Sequence, residues 1–157
     1  MIRRHLAIAA VALVAATPLA TFAQGAGTIV GTWNIEWEMG RMINDGEQTA
    51  IMAIGTMKVE VSGDSLLATV TTAKRSDGQP ITRPPFTIGG RRTDKGASFT
   101  QVSTATLNTN GEERTQRSIG TWMLEVHGDQ LTGQVKREIE GLSIDIPPAA
   151  VKGTRAP

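Results

Sequence analysis

The residues able to do chemistry in this chain of 157 are few. It has two histidines and neither cysteine nor tyrosine. Of the histidines, only His127 lies outside the N-terminal segment. A nucleophile needs a base within hydrogen-bond reach, and the base needs a group to orient it. His127 with Asp129 is the nearest approach to a Ser-His-Asp arrangement. Paired carboxylates occur as Glu36 with Glu38 and as Glu138 with Glu140. On a strand, that spacing points both members out of one face, whereas a glycosidase sets its two carboxylates against each other across a cleft. Met39, Met42, Met52 and Met57 are soft donors. Their spacing lacks the tight repeats of a copper site and suits thioethers that fill a core or line a cavity. In "RPPFTIGGRR", Arg83, Arg91 and Arg92 gather around Phe86. They fit an anion site or, equally, an edge strand blunted by proline and arginine. No EF-hand or histidine-rich spacing is present. The sequence therefore predicts no catalytic residue, no metal and no cofactor.

The surroundings of His127 decide its role. "GTMKVEVSGDSLLATV" (55 to 70) is repeated as "GTWMLEVHGDQLTGQV" (120 to 135). A catalytic signature would have no reason to occur twice, but a folding unit would. In the first copy Met57, Val59 and Val61 alternate with Lys58, Glu60 and Ser62, the period of a half-buried strand. Gly63 followed by Asp64 suits a two-residue hairpin turn. Closing it there opposes Ser62 to Ser65, Val61 to Leu66, Val59 to Ala68 and Met57 to Val70. In the second copy Gly128 and Asp129 turn, opposing Val126 to Leu131, Leu124 to Gly133 and Trp122 to Val135. A slip of one residue would turn every apolar side chain to water. His127 then takes the solvent-facing place of Ser62, and Asp64 and Asp129 are turn residues.

Other stretches read as strands too. "VGTWNIEWEM" puts Trp33, Ile35, Trp37 and Met39 on one face. Further strands are predicted near 84 to 91, 97 to 107 and 149 to 155. Between them lie turn signals at Asp77 and Gly78, in "RTDKG", and at Asn110 and Gly111. Residues 40 to 50 read as a long loop or a short helix. No window holds a helical period. The fold class is all-β, an antiparallel up-and-down meander of about eight strands closing into a barrel or a sandwich. One interior is expected to hold Trp33, Ile35, Trp37, Met57, Val59, Val61, Phe99, Trp122, Leu124, Val126, Leu131 and Val135.

The first residues, "MIRRHLAIAAVALVAATPLATFAQ", join a basic start to a short apolar run ending in Thr21, Phe22 and Ala23. That is the pattern of a secretory signal peptide over 1 to 23, followed by one domain over 24 to 157. The protein is thus expected to be exported, to the periplasm or beyond. Cleavage removes Arg3 and Arg4, leaving 14 of the 16 basic residues against 15 acidic ones, so the formal charge moves from +1 to −1. No basic footprint for nucleic acid survives. A membrane barrel would need an apolar outer band with aromatic girdles. Aromatic residues are 4% of the chain and tyrosine is absent, so no membrane span is expected.

The "GTW" at the head of the first strand, with hairpins carrying G-D-x-L, resembles the lipocalin-like, or calycin, barrels. The resemblance implies that Trp33 sits at the closed end of a barrel, covered by an arginine from the last strand. Arg155 in "VKGTR" is the best placed for that. An eight-stranded barrel either fills with side chains or leaves room for one ligand, so one reading is a binding module for a small apolar or amphipathic molecule, with Trp37, Met57 and Trp122 as the cavity-lining candidates. The alternative is a filled-core structural or protein-interaction module with no small-molecule ligand.

Overall fold

A computed structural model describes residues 28–44, 47–109, 112–143 and 145–157, without the side chains of 40–48 and 106–112. The signal-peptide segment 1–23 and the Asn110 and Gly111 turn lie outside the described residues. Eight strands follow in order: β1 (Gly31–Asn44), β2 (Glu47–Ser62), β3 (Ser65–Arg75), β4 (Phe86–Arg92), β5 (Gly96–Thr109), β6 (Glu112–His127), β7 (Gln130–Ile139) and β8 (Ala149–Arg155). Each pairs antiparallel with the next, and β8 returns to β1 to close a barrel. Closure leaves the meander no edge strand along its wall. β4 is therefore an interior strand, paired with both β3 and β5. The edge-strand reading of "RPPFTIGGRR" does not hold.

Both repeated hairpins have the register predicted from alternation. Met57 is opposite Val70 and Val59 opposite Ala68, while Trp122 is opposite Val135 and Leu124 opposite Gly133. Gly63 and Gly128 turn with φ of 59° and 62°, a conformation that costs glycine least. Trp122 is 1% exposed and its neighbour Met123 39%, so the inward parity is settled.

Val61 departs from the expected interior, being 57% exposed. Pairing between β1 and β2 ends at Gly31 and Val59, so Val61 extends past the last rung that β1 covers. Its partner Leu66 stays buried because β4 covers it through Gly90.

Residues 40 to 50 differ from the loop or helix expected. The β1–β2 ladder shifts register between Glu38 and Gly40, then continues until Asn44 meets Glu47. A bulge of this kind adds twist and lets a ribbon leave the barrel wall. The β5–β6 ladder likewise runs up to Thr109 and Glu112, whereas β6 meets β7 only from Ser118 onward. Two hairpins thus rise past the wall at the end that also carries the long connections 76–85 and 140–148.

Glycines let the wall curve so tightly. A Cβ on Gly133 would fall on the carbonyl oxygen of Met123 in the next strand and 2.9 Å from Leu124 Cδ2. Gly55 faces the Thr71 carbonyl in the same way. At such places neighbouring backbone occupies the space of a side chain, a recognised mark of a bend at a barrel corner.

Candidate functional site

The two ends of the barrel differ in chemistry. At the end with tight turns, Ile29 and Trp33 are buried as a plug, and the Trp33 indole Nε1 donates to the Ile29 carbonyl at 2.8 Å. The Arg155 guanidinium lies over the Trp33 ring, 4.2 Å from its centroid. Arg155 also donates to the carbonyls of Thr28 at 2.6 Å and Val30 at 3.2 Å, and its Nε donates to Asp129 Oδ1 at 3.2 Å. A planar cation suits this combination of stacking and forked donation. The group ties the entering chain, the last strand and the second hairpin turn together. Asp129 is therefore more than a turn residue, a role the repeat alone did not reveal.

Toward the end opposite the plug the inward side chains become aromatic and then polar, with Trp37 and Trp122 both buried. Trp37 meets Trp122 with ring centroids 6.3 Å apart and a 54° tilt, and Phe86 meets Trp122 at 6.5 Å and 52°. These are favoured tilted geometries. Met57, the third cavity candidate, is fully buried opposite Trp33 on the neighbouring strand. It lies in the filled part of the barrel with Val59, Phe99 and Leu131.

The Trp122 indole Nε1 donates to Gln101 Oε1 at 3.2 Å. Beyond this pair, Gln101, Gly120 and Arg137 are neighbours across β5, β6 and β7. Gly120 is buried, and a Cβ there would sit in ordinary van der Waals contact, 3.6 Å from Val135 Cγ1. Arg137 lies beyond the last β7–β8 rung, Val135 with Ala149. Its Nη2 donates across to the Glu38 carbonyl on β1 at 3.3 Å. Burial holds the Arg137 guanidinium below its ordinary pKa, with Glu38 opposing the shift and Arg83 adding to it.

The other chemical candidates scatter. Arg83 and Phe86 belong to the end opposite the plug, while the exposed Arg91 and Arg92 stand at the far end of β4. Glu36 pairs with Lys152 at 3.0 Å, Glu138 with Lys136 at 3.4 Å and Glu140 with Arg117 at 3.8 Å. These carboxylates are neutralised along strand faces and do not oppose one another. His127 is exposed beside Glu125 at 3.5 Å. A groove of about 290 Å³ runs along the outer wall over β1, β7 and β8, lined by Asn34, Glu36, Thr132 and Lys152 among others. Among the described residues, no group of three or more His, Asp or Glu could hold a metal ion, and no helix is long and apolar enough to cross a membrane.

Sequence reasoning singled out Trp37 and Trp122, which the structure brings together. It missed Gln101, Gly120 and Arg137. Alternation on β7 carried the signal for the last, since Leu131, Gly133, Val135 and Arg137 share one parity. Comparison with family models, with curated proteins and with solved structures finds no match to this chain.

Proposed function

We propose that the protein is an exported, lipocalin-like binding barrel whose open end takes a small apolar or amphipathic molecule without chemically changing it. The supporting observation is the aromatic group of Trp37, Trp122 and Phe86 next to Gly120, a position without a side chain on the neighbouring tier. Ligand sites combine apolar and aromatic walls with a few placed polar groups, and Gln101 and Arg137 supply polar groups here. With Trp33, Met57, Phe99 and Leu131 filling the lower barrel and Trp37 and Trp122 themselves buried, the ligand rests above the Trp122 layer, against the half-buried Phe86. Export rests on the signal-peptide pattern of 1 to 23, and the binding domain on this reading is 24 to 157. The lipocalin-like assignment draws on the strand order and on the Trp33–Arg155 stack.

Titration with phenylnaphthylamine, an uncharged apolar fluorophore, tests the reading. Wild type should bind it. Gly120→Ala should still bind, because the added Cβ meets only ordinary contacts, whereas Gly120→Leu should block the mouth. Failure of wild type to bind would favour the second reading, an interaction module with a filled core. The two hairpins standing above the wall support that alternative, since a partner could grip them without entering the barrel.

A further inference from the structure

We infer that the outer wall over β3 and β4 is the contact of a weak two-fold homodimer, in which Leu67 of each copy seats in the notch that Gly89 leaves on the other. The contact uses the outside of the wall and not the barrel interior, so it stands apart from the binding role proposed above.

β4 carries two successive glycines, and packing within the chain accounts for only one. A Cβ on Gly90 would fall on the Ser98 carbonyl oxygen and the Phe99 ring, so glycine lets the wall bend there. A Cβ on Gly89 would meet nothing within 4 Å among the described residues. Gly89 is exposed and does not take a positive φ. The ladders to β3 and β5 pass through it without a register shift. Neither backbone conformation nor a bulge therefore calls for glycine at this position. Of the usual reasons for glycine inside a strand, close approach from outside remains.

A knob stands beside this notch. Leu67 is opposite Gly89 on β3 and is 40% exposed. Thr69 and Thr87 form the next outward pair, their hydroxyls 3.3 Å apart. A two-fold axis along the wall, parallel to the strands and between β3 and β4, sets each Leu67 over the Gly89 of the other copy. It also sets each Thr69 over the other Thr87, and the two halves of such an isologous contact are identical. The flanking strands agree. Glu60, opposite Leu67 on β2, then faces Thr100, opposite Gly89 on β5, so a carboxylate meets a hydroxyl and not a second carboxylate. The opposite side of the wall is unsuited to self-contact. There Glu36 with Lys152, and Lys136 with Glu138, are already paired, and a second copy would strip both pairs of water. The β3–β4 contact is narrow, because the two strands stand about 4.8 Å apart and a closed barrel curves away on both sides. It falls below the roughly 800 Å² per partner of a standard interface. The dimer is therefore dissociable, half formed at roughly 10–100 μM.

Sedimentation equilibrium of the purified protein between about 1 and 300 μM tests the contact. Wild type should move from the mass of one chain toward that of two. Gly89→Thr fills the notch with a good strand former and should weaken association roughly tenfold or more, as should Leu67→Thr. Exchanging the two, Leu67→Gly with Gly89→Leu in one chain, should restore the dimer, because each knob again faces a notch. Met123→Thr removes a different exposed apolar side chain, on β6, and should change nothing. A single-chain mass for wild type at every concentration overturns the inference and leaves the face to a different protein or to none. Association undisturbed by Gly89→Thr overturns it too. Equal weakening by Met123→Thr would mark nonspecific apolar contact and count against it in the same way. If Leu67→Thr or the exchanged variant fails to fold, Gly89→Thr alone decides. The binding role survives either result.

Discussion

Two glycine-to-alanine substitutions, at Gly133 and Gly120, should have opposite effects although the sites lie on adjacent strands. At Gly133 the new Cβ falls on the Met123 carbonyl oxygen and lies 3.0 Å from Leu124 Cα. Relief requires β6 and β7 to part at the Leu124–Gly133 rung, where strands normally sit about 4.8 Å apart. Overpacking costs about 1–3 kcal/mol, and disturbing two ladder hydrogen bonds costs about 1 kcal/mol each. Against this, alanine lowers the entropy of the unfolded chain, a gain of about 0.4–1 kcal/mol. The net loss for Gly133→Ala is about 2–4 kcal/mol. At Gly120 the nearest atom stands 3.6 Å away, so only the entropic gain of about 0.4–1 kcal/mol remains. Equilibrium urea unfolding, followed by fluorescence of the three tryptophans, reads the difference. With a slope of about 2 kcal/mol per molar, the middle of the range for small proteins, Gly133→Ala should lower the midpoint by roughly 1–2 M. Gly120→Ala should leave it level or slightly raised. Equal midpoints for the two variants would refute the claim that backbone approach, and not chance, keeps position 133 as glycine.

Trp122→Ala should cost about 3–5 kcal/mol as a buried aromatic truncation, with thermal unfolding as the readout. Trp122→Phe, which keeps a ring but loses the bond to Gln101, should cost about 1 kcal/mol more than packing alone predicts. Arg155→Ala should lose about 2–3 kcal/mol through the stack on Trp33 and the two carbonyl bonds, whereas Asp129→Ala, removing one partly exposed ion pair, should lose under about 1 kcal/mol. Substituting His127 by alanine should leave stability within about 0.5 kcal/mol and binding unchanged; a lost activity would bring catalysis back. Intact-mass measurement of the exported protein should find a chain beginning close to Gln24, and a mass that includes residues 1 to 23 would refute cleavage.

Local pattern carried most of the wall. Alternation with a glycine turn determines both the facing pairs and the side they face, and those pairs reached the correct interior for Trp33, Trp37, Phe99 and Trp122. Val61 shows the limit. Its parity was right, but whether a position is covered depends on how far the neighbouring strand extends, and β1 stops at Gly31. The stretch from 40 to 50 failed for a related reason. Glycine, asparagine and aspartate weaken the strand signal there, yet pairing continues because the two chain segments already lie side by side after the bulge. Arg137 was legible in parity and unread in chemistry: an arginine on an inward position looks anomalous until the barrel shows that β8 begins only at Ala149.

The repeated hairpins show how one folding unit acquires different duties. Gly55 and Gly120 open the two copies, yet the first is pressed by the Thr71 carbonyl while a Cβ on the second would meet only ordinary contacts with Val135 and Gln101. Asp64 and Asp129 follow equivalent turn glycines, and it is Asp129 that receives Arg155, because β8 runs beside β7. Met57 and Trp122 hold the same place in the pattern. One packs in the core opposite Trp33, and the other joins the buried aromatic layer with Trp37 and Phe86. The shared residues are those that a half-buried hairpin needs to form at all. What differs is set by each copy's third neighbour, the strand that the pattern does not contain. That is why the duplication identifies the architecture, while the binding end has to be read from residues outside it, such as Trp37, Phe86, Gln101 and Arg137.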